Sequence, residues 1–102
     1  MKKLLILLAL TISFSINAQW SYPGSNWAME AQNSTATGAY SAAMGNQSTA
    51  SGYNSTAMGR STTASGDYST AMGQNTTASG YNSTAMGRST TASSGYSTAM
   101  GF

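Results

Sequence analysis

Histidine and cysteine are both absent from this 102-residue chain, and its acidic side chains are only Glu30 and Asp67. General acid–base catalysis needs a positioned pair of groups with tuned pKa values, and metal centres need clustered ligands. Neither can be assembled here, so no enzyme, metal site, cofactor or small-molecule substrate is expected. The remaining reactive or adhesive side chains are repeated ones. Met44, Met58, Met72, Met86 and Met100 stand fourteen residues apart, Tyr40, Tyr53, Tyr68, Tyr81 and Tyr96 recur once in the same interval, and Ser and Thr fill much of the rest. A row of thioethers could hold a soft ion such as copper(I), but evenly spaced methionines read better as an apolar stripe. The inventory points to surface binding.

These residues are positioned by a strict period. Ala36, Ala43, Ala50, Ala57, Ala64, Ala71, Ala78, Ala85, Ala92 and Ala99 fall seven apart, and the residue after each alternates between a small hydroxyl and methionine. The true period is fourteen, and about five such coils fit between Ser34 and Phe102. Short fixed periods mark units that fold only by stacking on their neighbours. A glycine closes nearly every half-repeat, at a cost of about 1 kcal/mol each in a helix, so helix is not expected. Two strands of four to five residues per coil are expected, with the glycines supplying positive φ or close approach at the turns. The stretch from Ala50 to Ser65 is identical to that from Ala78 to Ser93. Coils therefore also alternate in pairs.

Strand alternation assigns the faces. Alanines turned outward would leave hydroxyls in a narrow interior, at about 1–3 kcal/mol for each one unsatisfied. The ten alanines are therefore expected to line the interior of a thin roll. One outer face then reads Thr-x-Ser (Thr49/Ser51, Thr63/Ser65, Thr77/Ser79, Thr91/Ser93) and suits water. The other reads Thr-x-Met: Thr56/Met58, Thr70/Met72, Thr84/Met86 and Thr98/Met100, with Ala42/Met44 at its start. An apolar stripe of this kind needs a cover, and at roughly 1.5–3 kcal/mol per buried Met self-association is expected. The tyrosines fall in the turn after the Thr-Ala-Ser strand. They are candidates for a ligand surface or for a structural aromatic ladder.

At the amino terminus, Met1-Lys2-Lys3, an apolar run from Leu4 and the small end Ile16-Asn17-Ala18 have the form of a secretory signal peptide, with cleavage expected between Ala18 and Gln19. The run is shorter than the ~20 apolar residues that span a bilayer, so a retained anchor is the weaker reading. Cleavage removes Lys2 and Lys3 and leaves Arg60 and Arg88 against Glu30 and Asp67. The basic character belongs to the signal, and nucleic acid, which needs clustered cations, is not an expected partner. Residues 19–33, with Trp20, Tyr22, Trp27 and Met29 around Pro23-Gly24-Ser25, read as an aromatic cap or a loose lead-in. Asn33, Asn46, Asn54, Asn75 and Asn82 form glycosylation sequons but read as turn residues. Arg60 and Arg88 occupy the opposite turn from the tyrosines and read as solubilising.

Asn54-Ser55-Thr56-Ala57-Met58-Gly59 and its copy Asn82-Ser83-Thr84-Ala85-Met86-Gly87 resemble the Asn-Ser-Val-Ala-Ile-Gly signature of YadA-like head repeats in trimeric autotransporter adhesins. Thr56 and Thr84 stand at that family's Val, Met58 and Met86 at its Ile. The resemblance covers 34–102 and implies a left-handed parallel β-roll, three chains packed along their apolar strands, and attachment to host matrix, cells or other surfaces. Met44, Met58, Met72, Met86 and Met100, with Thr56, Thr70, Thr84 and Thr98, are then the expected trimer interface. The protein is expected to be secreted, or held at the cell surface or outer membrane if it is part of a longer anchored adhesin. The competing reading is an ice-binding β-solenoid that uses the Thr-x-Ser ladder.

Overall fold

The computed structural model describes residues 20–21, 28–31 and 33–102. The expected signal peptide (1–18), its cleavage point at Ala18 and Gln19, and Tyr22 and Trp27 lie outside the described residues. Twelve strands follow in chain order: β1 (Trp20–Ser21), β2 (Met29–Ala31), β3 (Thr35–Ala36), β4 (Ala42–Asn46), β5 (Thr49–Ala50), β6 (Thr56–Arg60), β7 (Thr63–Ala64), β8 (Thr70–Gln74), β9 (Thr77–Ala78), β10 (Thr84–Arg88), β11 (Thr91–Ala92) and β12 (Thr98–Gly101). They form two sheets, a seven-stranded one in the order β1-β2-β4-β6-β8-β10-β12 and a five-stranded one in the order β11-β9-β7-β5-β3. Every pairing is parallel except that of β1 with β2. The described residues from Ala28 onward form an all-β parallel solenoid of about five turns with a fourteen-residue period.

The register is that of the sequence repeat. Ala57 pairs with Ala71 and Met58 with Met72, and the same offset holds from coil to coil. Parallel strands joined by turns of a few residues are possible here because each turn leads to the other sheet; the chain returns to the first sheet one coil later. Ala36, Ala43, Ala50, Ala57, Ala64, Ala71, Ala78, Ala85 and Ala92 are buried, and Ala99 packs partly buried against them.

Three features differ from the sequence expectation. First, hydroxyls share the interior with alanine: Ser41, Ser48, Ser55, Ser69 and Ser83 and Thr62, Thr76 and Thr90 are buried. Each lies two residues before an alanine, so alternation puts it on the same face. Ser41 and Ser55 donate to the carbonyls of Gly38 and Gly52 three residues back, at 2.6 and 2.7 Å. Ser48, Thr62, Ser69, Thr76, Ser83 and Thr90 have no partner for their hydroxyls. Second, the Thr-Ala strands β5, β7 and β9 are two residues long, not four or five, and end before Ser51, Ser65 and Ser79. After Ala50 the amides of both Ser51 and Gly52 donate to the carbonyl of Ala64, at 3.0 and 3.3 Å, which ends the ladder and turns the chain.

Third, glycine is not the main source of left-handed backbone at the turns. One non-glycine residue per half-coil has φ between 53° and 66°: Asn33, Tyr40, Gln47, Asn54, Ser61, Tyr68, Asn75, Asn82, Ser89 and Tyr96. Asparagine tolerates this region best among residues with a side chain, which accounts for the four Asn among them. Their amides join the stack, as in Asn54 donating to Ala39 at 2.9 Å and Tyr68 to Tyr53 at 2.7 Å. Glycine serves the other purpose. A Cβ on Gly52 would strike the carbonyl of Gly66 in the next coil, and one on Gly59, whose φ is 120°, would strike that of Gly73.

At the amino-terminal end the stack begins before the repeats do. β2 pairs in parallel with β4, placing Glu30 level with Ala43, and Ala28 is buried in the core. β1 then closes that edge of the sheet in antiparallel pairing, Trp20 opposite Ala31 and Ser21 opposite Glu30.

Candidate binding surface

The outer face of the seven-stranded sheet carries three columns. Thr56, Thr70, Thr84 and Thr98 run in register below Ala42, next to Met44, Met58, Met72, Met86 and Met100, and beyond these stand Asn46, Arg60, Gln74 and Arg88. The methionines from Met44 to Met86 are half-buried by their neighbours in the column, and Met100 in the last coil is 66% exposed. Their packing in one chain is therefore incomplete. The outer face of the five-stranded sheet carries Thr49, Thr63 and Thr77, half-buried, with Thr35 and Thr91 exposed at its edges. Ser51, Ser65, Ser79 and Ser93 beside them are exposed.

The tyrosines form a continuous ladder along one edge of the roll. Successive rings from Tyr40 to Tyr96 lie 5.6–5.8 Å apart at interplanar angles of 74–82°. Edge-to-face pairs of this kind contribute about 0.5–1.5 kcal/mol each beyond their buried area. The alternation of position explains the angle. Tyr40, Tyr68 and Tyr96 occupy the left-handed site of their turns, whereas Tyr53 and Tyr81 precede it and leave it to Asn54 and Asn82. Rings at identical positions would repeat at the coil step of about 4.8 Å in one orientation; offset by one residue, they meet edge to face. The tyrosine residues remain 41–78% exposed. Structural stacking and an exposed aromatic edge therefore coexist.

Two polar features went unread in the sequence. The Glu30 carboxylate accepts from the amide of Ala36 at 2.9 Å, replacing the carbonyl that a preceding coil would offer to β3. An Asp67 oxygen accepts from the amide of Tyr53 at 2.9 Å, tying adjacent turns of the tyrosine edge. Nothing in the local sequence at Glu30 distinguishes it from a solvent-facing acid; only its alignment with Ala43 does. Arg60 and Arg88 are exposed on the opposite edge, with Arg88 over the Phe102 ring at 5.3 Å from its centroid. Among the described residues, no three His, Cys, Asp or Glu side chains cluster as a metal site would require.

The stretch that forms the stacked fourteen-residue coils is matched by the two-copy model of the YadA head domain repeat, at residues 32–48, 36–61, 50–76 and 78–102. The chain belongs to the YadA head repeat family. No curated protein and no solved structure matches it. YadA heads are adhesin-type repeats, an assignment that fits the repeated outer columns of the described residues.

Proposed function

We propose that this chain is the non-enzymatic head of a bacterial adhesin. In this reading it is exported by the signal in 1–18, cleaved between Ala18 and Gln19, and displayed at the cell surface or released. Its roll is left-handed, and it assembles as a homotrimer through Met44, Met58, Met72, Met86 and Met100 with Thr56, Thr70, Thr84 and Thr98. It attaches to host matrix, cells or abiotic surfaces.

The observation that carries the reading is the five-residue tyrosine ladder, exposed and regular, on a chain of the YadA head family. One such ladder per copy, multiplied by assembly, gives many weak contacts that act together through effective concentration. Stacked rings are also held in place before binding, so little side-chain freedom is lost on contact. Residues 19–33 serve as the cap of the roll, a role supported by the antiparallel β1 and the Glu30 hydrogen bond.

The test is adhesion of the processed chain to immobilised matrix proteins, cultured cells and polystyrene. Replacement of Tyr53, Tyr68 and Tyr81 by Ser should abolish retention on the surface while leaving light-scattering mass unchanged. Equal retention by the two proteins would remove the tyrosine edge from the reading. Thermal hysteresis in place of adhesion would move the function to the Thr-x-Ser face.

A further inference from the structure

The turn that carries the tyrosines is two residues wide, and aromatic and polar side chains alternate along it. Its first column reads Ala39, Tyr53, Asp67, Tyr81 and Gly95 from coil to coil, and its second reads Tyr40, Asn54, Tyr68, Asn82 and Tyr96. Three successive coils therefore each set one ring beside one planar polar group: Tyr53 with Asn54, Tyr68 with Asp67, and Tyr81 with Asn82. All six residues are exposed. The backbone beneath them is pinned, since the amides of Asn54 and Asn82 donate at 2.9 Å to the carbonyls of Ala39 and Asp67 in the preceding coil. Asp67 Oδ1 accepts from the Tyr53 amide, which fixes the carboxylate beside the rings. Tyrosine supplies rigid amphipathic contact area and asparagine adaptable hydrogen bonding, the pairing that antibody loops use for ligands with both apolar and polar surface.

We propose that this edge binds a linear, neutral, β-1,4-linked glycan laid along the stack, one sugar to each coil. The inference rests on the adhesive role given to the tyrosine edge and names a ligand class for it. A pyranose has an apolar face of C–H groups and a rim of hydroxyls. The tyrosine ring covers the face, and the neighbouring Asn or Asp meets the rim, an amide by donating and accepting and a carboxylate by accepting. The spacing agrees as well. Coils follow one another at about 4.8 Å, and an extended β-1,4-linked hexose chain advances per sugar by little more than that. Five rings cover four such steps, about 19 Å, enough for about five sugars. Each β-1,4 linkage also turns the next sugar over, and the ladder changes orientation at every coil, with successive rings 74–82° apart. Tyr40 and Tyr96, beside Ala39 and Gly95, extend the platform at its two ends.

Charge and shape select among glycans. Asp67 is the one charged side chain of this edge among the described residues, and Arg60 and Arg88 stand on the opposite edge. A sulfated or carboxylated polysaccharide would set its anions against Asp67 with no cation near to hold them, and like charges brought together weaken binding. An α-1,4-linked chain coils away from a straight row of rings and meets few of them. The straight, uncharged β-1,4 chain is the form that touches every coil.

Isothermal titration of the purified protein with cellohexaose, chitohexaose, maltohexaose and heparin tests the proposal. Cellohexaose or chitohexaose should bind at least about tenfold more tightly than its own disaccharide, because each further sugar meets a further ring. The better of the two shows whether the edge takes a hydroxyl or an acetamido group. Equal binding of maltohexaose, or a preference for heparin, overturns the proposal. Tyr53→Ser, Tyr68→Ser and Tyr81→Ser together should abolish hexasaccharide binding at unchanged light-scattering mass; binding that survives them lies elsewhere and overturns it too. Asn54→Gly with Asn82→Gly keeps the left-handed backbone of both turns and removes only the side-chain amides. That variant should bind the hexasaccharide about tenfold more weakly while its retention on polystyrene, which needs the rings alone, stays as in the parent. Undiminished glycan affinity in it overturns the proposal. The two readings fail separately. A protein that loses adhesion to matrix or cells with its tyrosines, yet takes no hexasaccharide, keeps the adhesive edge and loses the glycan; one whose adhesion survives without the tyrosines loses both.

Discussion

At the scale of single residues, the interior hydroxyls separate into two kinds with opposite consequences. Ser55 donates to Gly52, whereas Thr76 is fully buried with no partner. A buried unsatisfied hydroxyl costs about 1–3 kcal/mol, and an apolar group of the same shape removes the penalty. Thr76→Val should therefore raise the free energy of unfolding by about 1 kcal/mol, while Ser55→Ala should lower it by a similar amount. Urea unfolding at fixed protein concentration measures both. Glycine sets the other residue-scale limit. Gly73 has φ of 122° and sits against the carbonyl of Gly87, so Gly73→Ala combines backbone strain with a clash that no side-chain rotation relieves. A loss of about 3 kcal/mol or more is expected in the same measurement.

At the scale of elements, β strands of two and five residues are held by stacking more than by their own length. A two-residue strand such as β7 closes few hydrogen bonds by itself, yet its neighbours β5 and β9 offer the same register above and below. The end strand lacks that support on one side, and Glu30 supplies it for β3. Charged hydrogen bonds of this type contribute about 1.5–3 kcal/mol. Glu30→Ala should leave the central coils intact and open the first one, seen as faster amide exchange at Ala36 with little change at Ala64. Uniform acceleration along the chain would show that the end coil is not a separate unit.

At the scale of the molecule, the thin roll has an interior of alanine and small hydroxyls, so its larger apolar side chains lie outside. Alanine burial gains little because each side chain removes little area from water. The methionine column lies on the outer sheet face, partly covered from Met44 to Met86 and exposed at Met100. A charge at its centre should therefore act on assembly first. Met72→Asp is expected to shift the light-scattering mass to that of a monomer and to lower the unfolding temperature in a concentration-dependent way, as linkage requires. An unchanged mass would mean that the methionines face water in the working protein.

The seven-residue alanine series, the Ser/Met alternation beside it and the closing glycines determined the period, the strand class and the register, because every coil must repeat its neighbour for the ladders to close. The same alternation placed the Thr-x-Met and Thr-x-Ser columns on outer faces. It also places Ser55 and Thr62 inside, two residues before their alanines, although the cost of burying hydroxyls argued for keeping them out. Three things were decided only by the tertiary structure: the left-handed turn sites taken by Asn and Tyr, the edge-to-face stacking of rings thirteen to fifteen residues apart, and the Glu30 bond to Ala36. Each depends on how one coil sits on the next. Short-range pattern fixes which face a side chain takes, but contacts between coils set the turn geometry and the partners at the end of the stack.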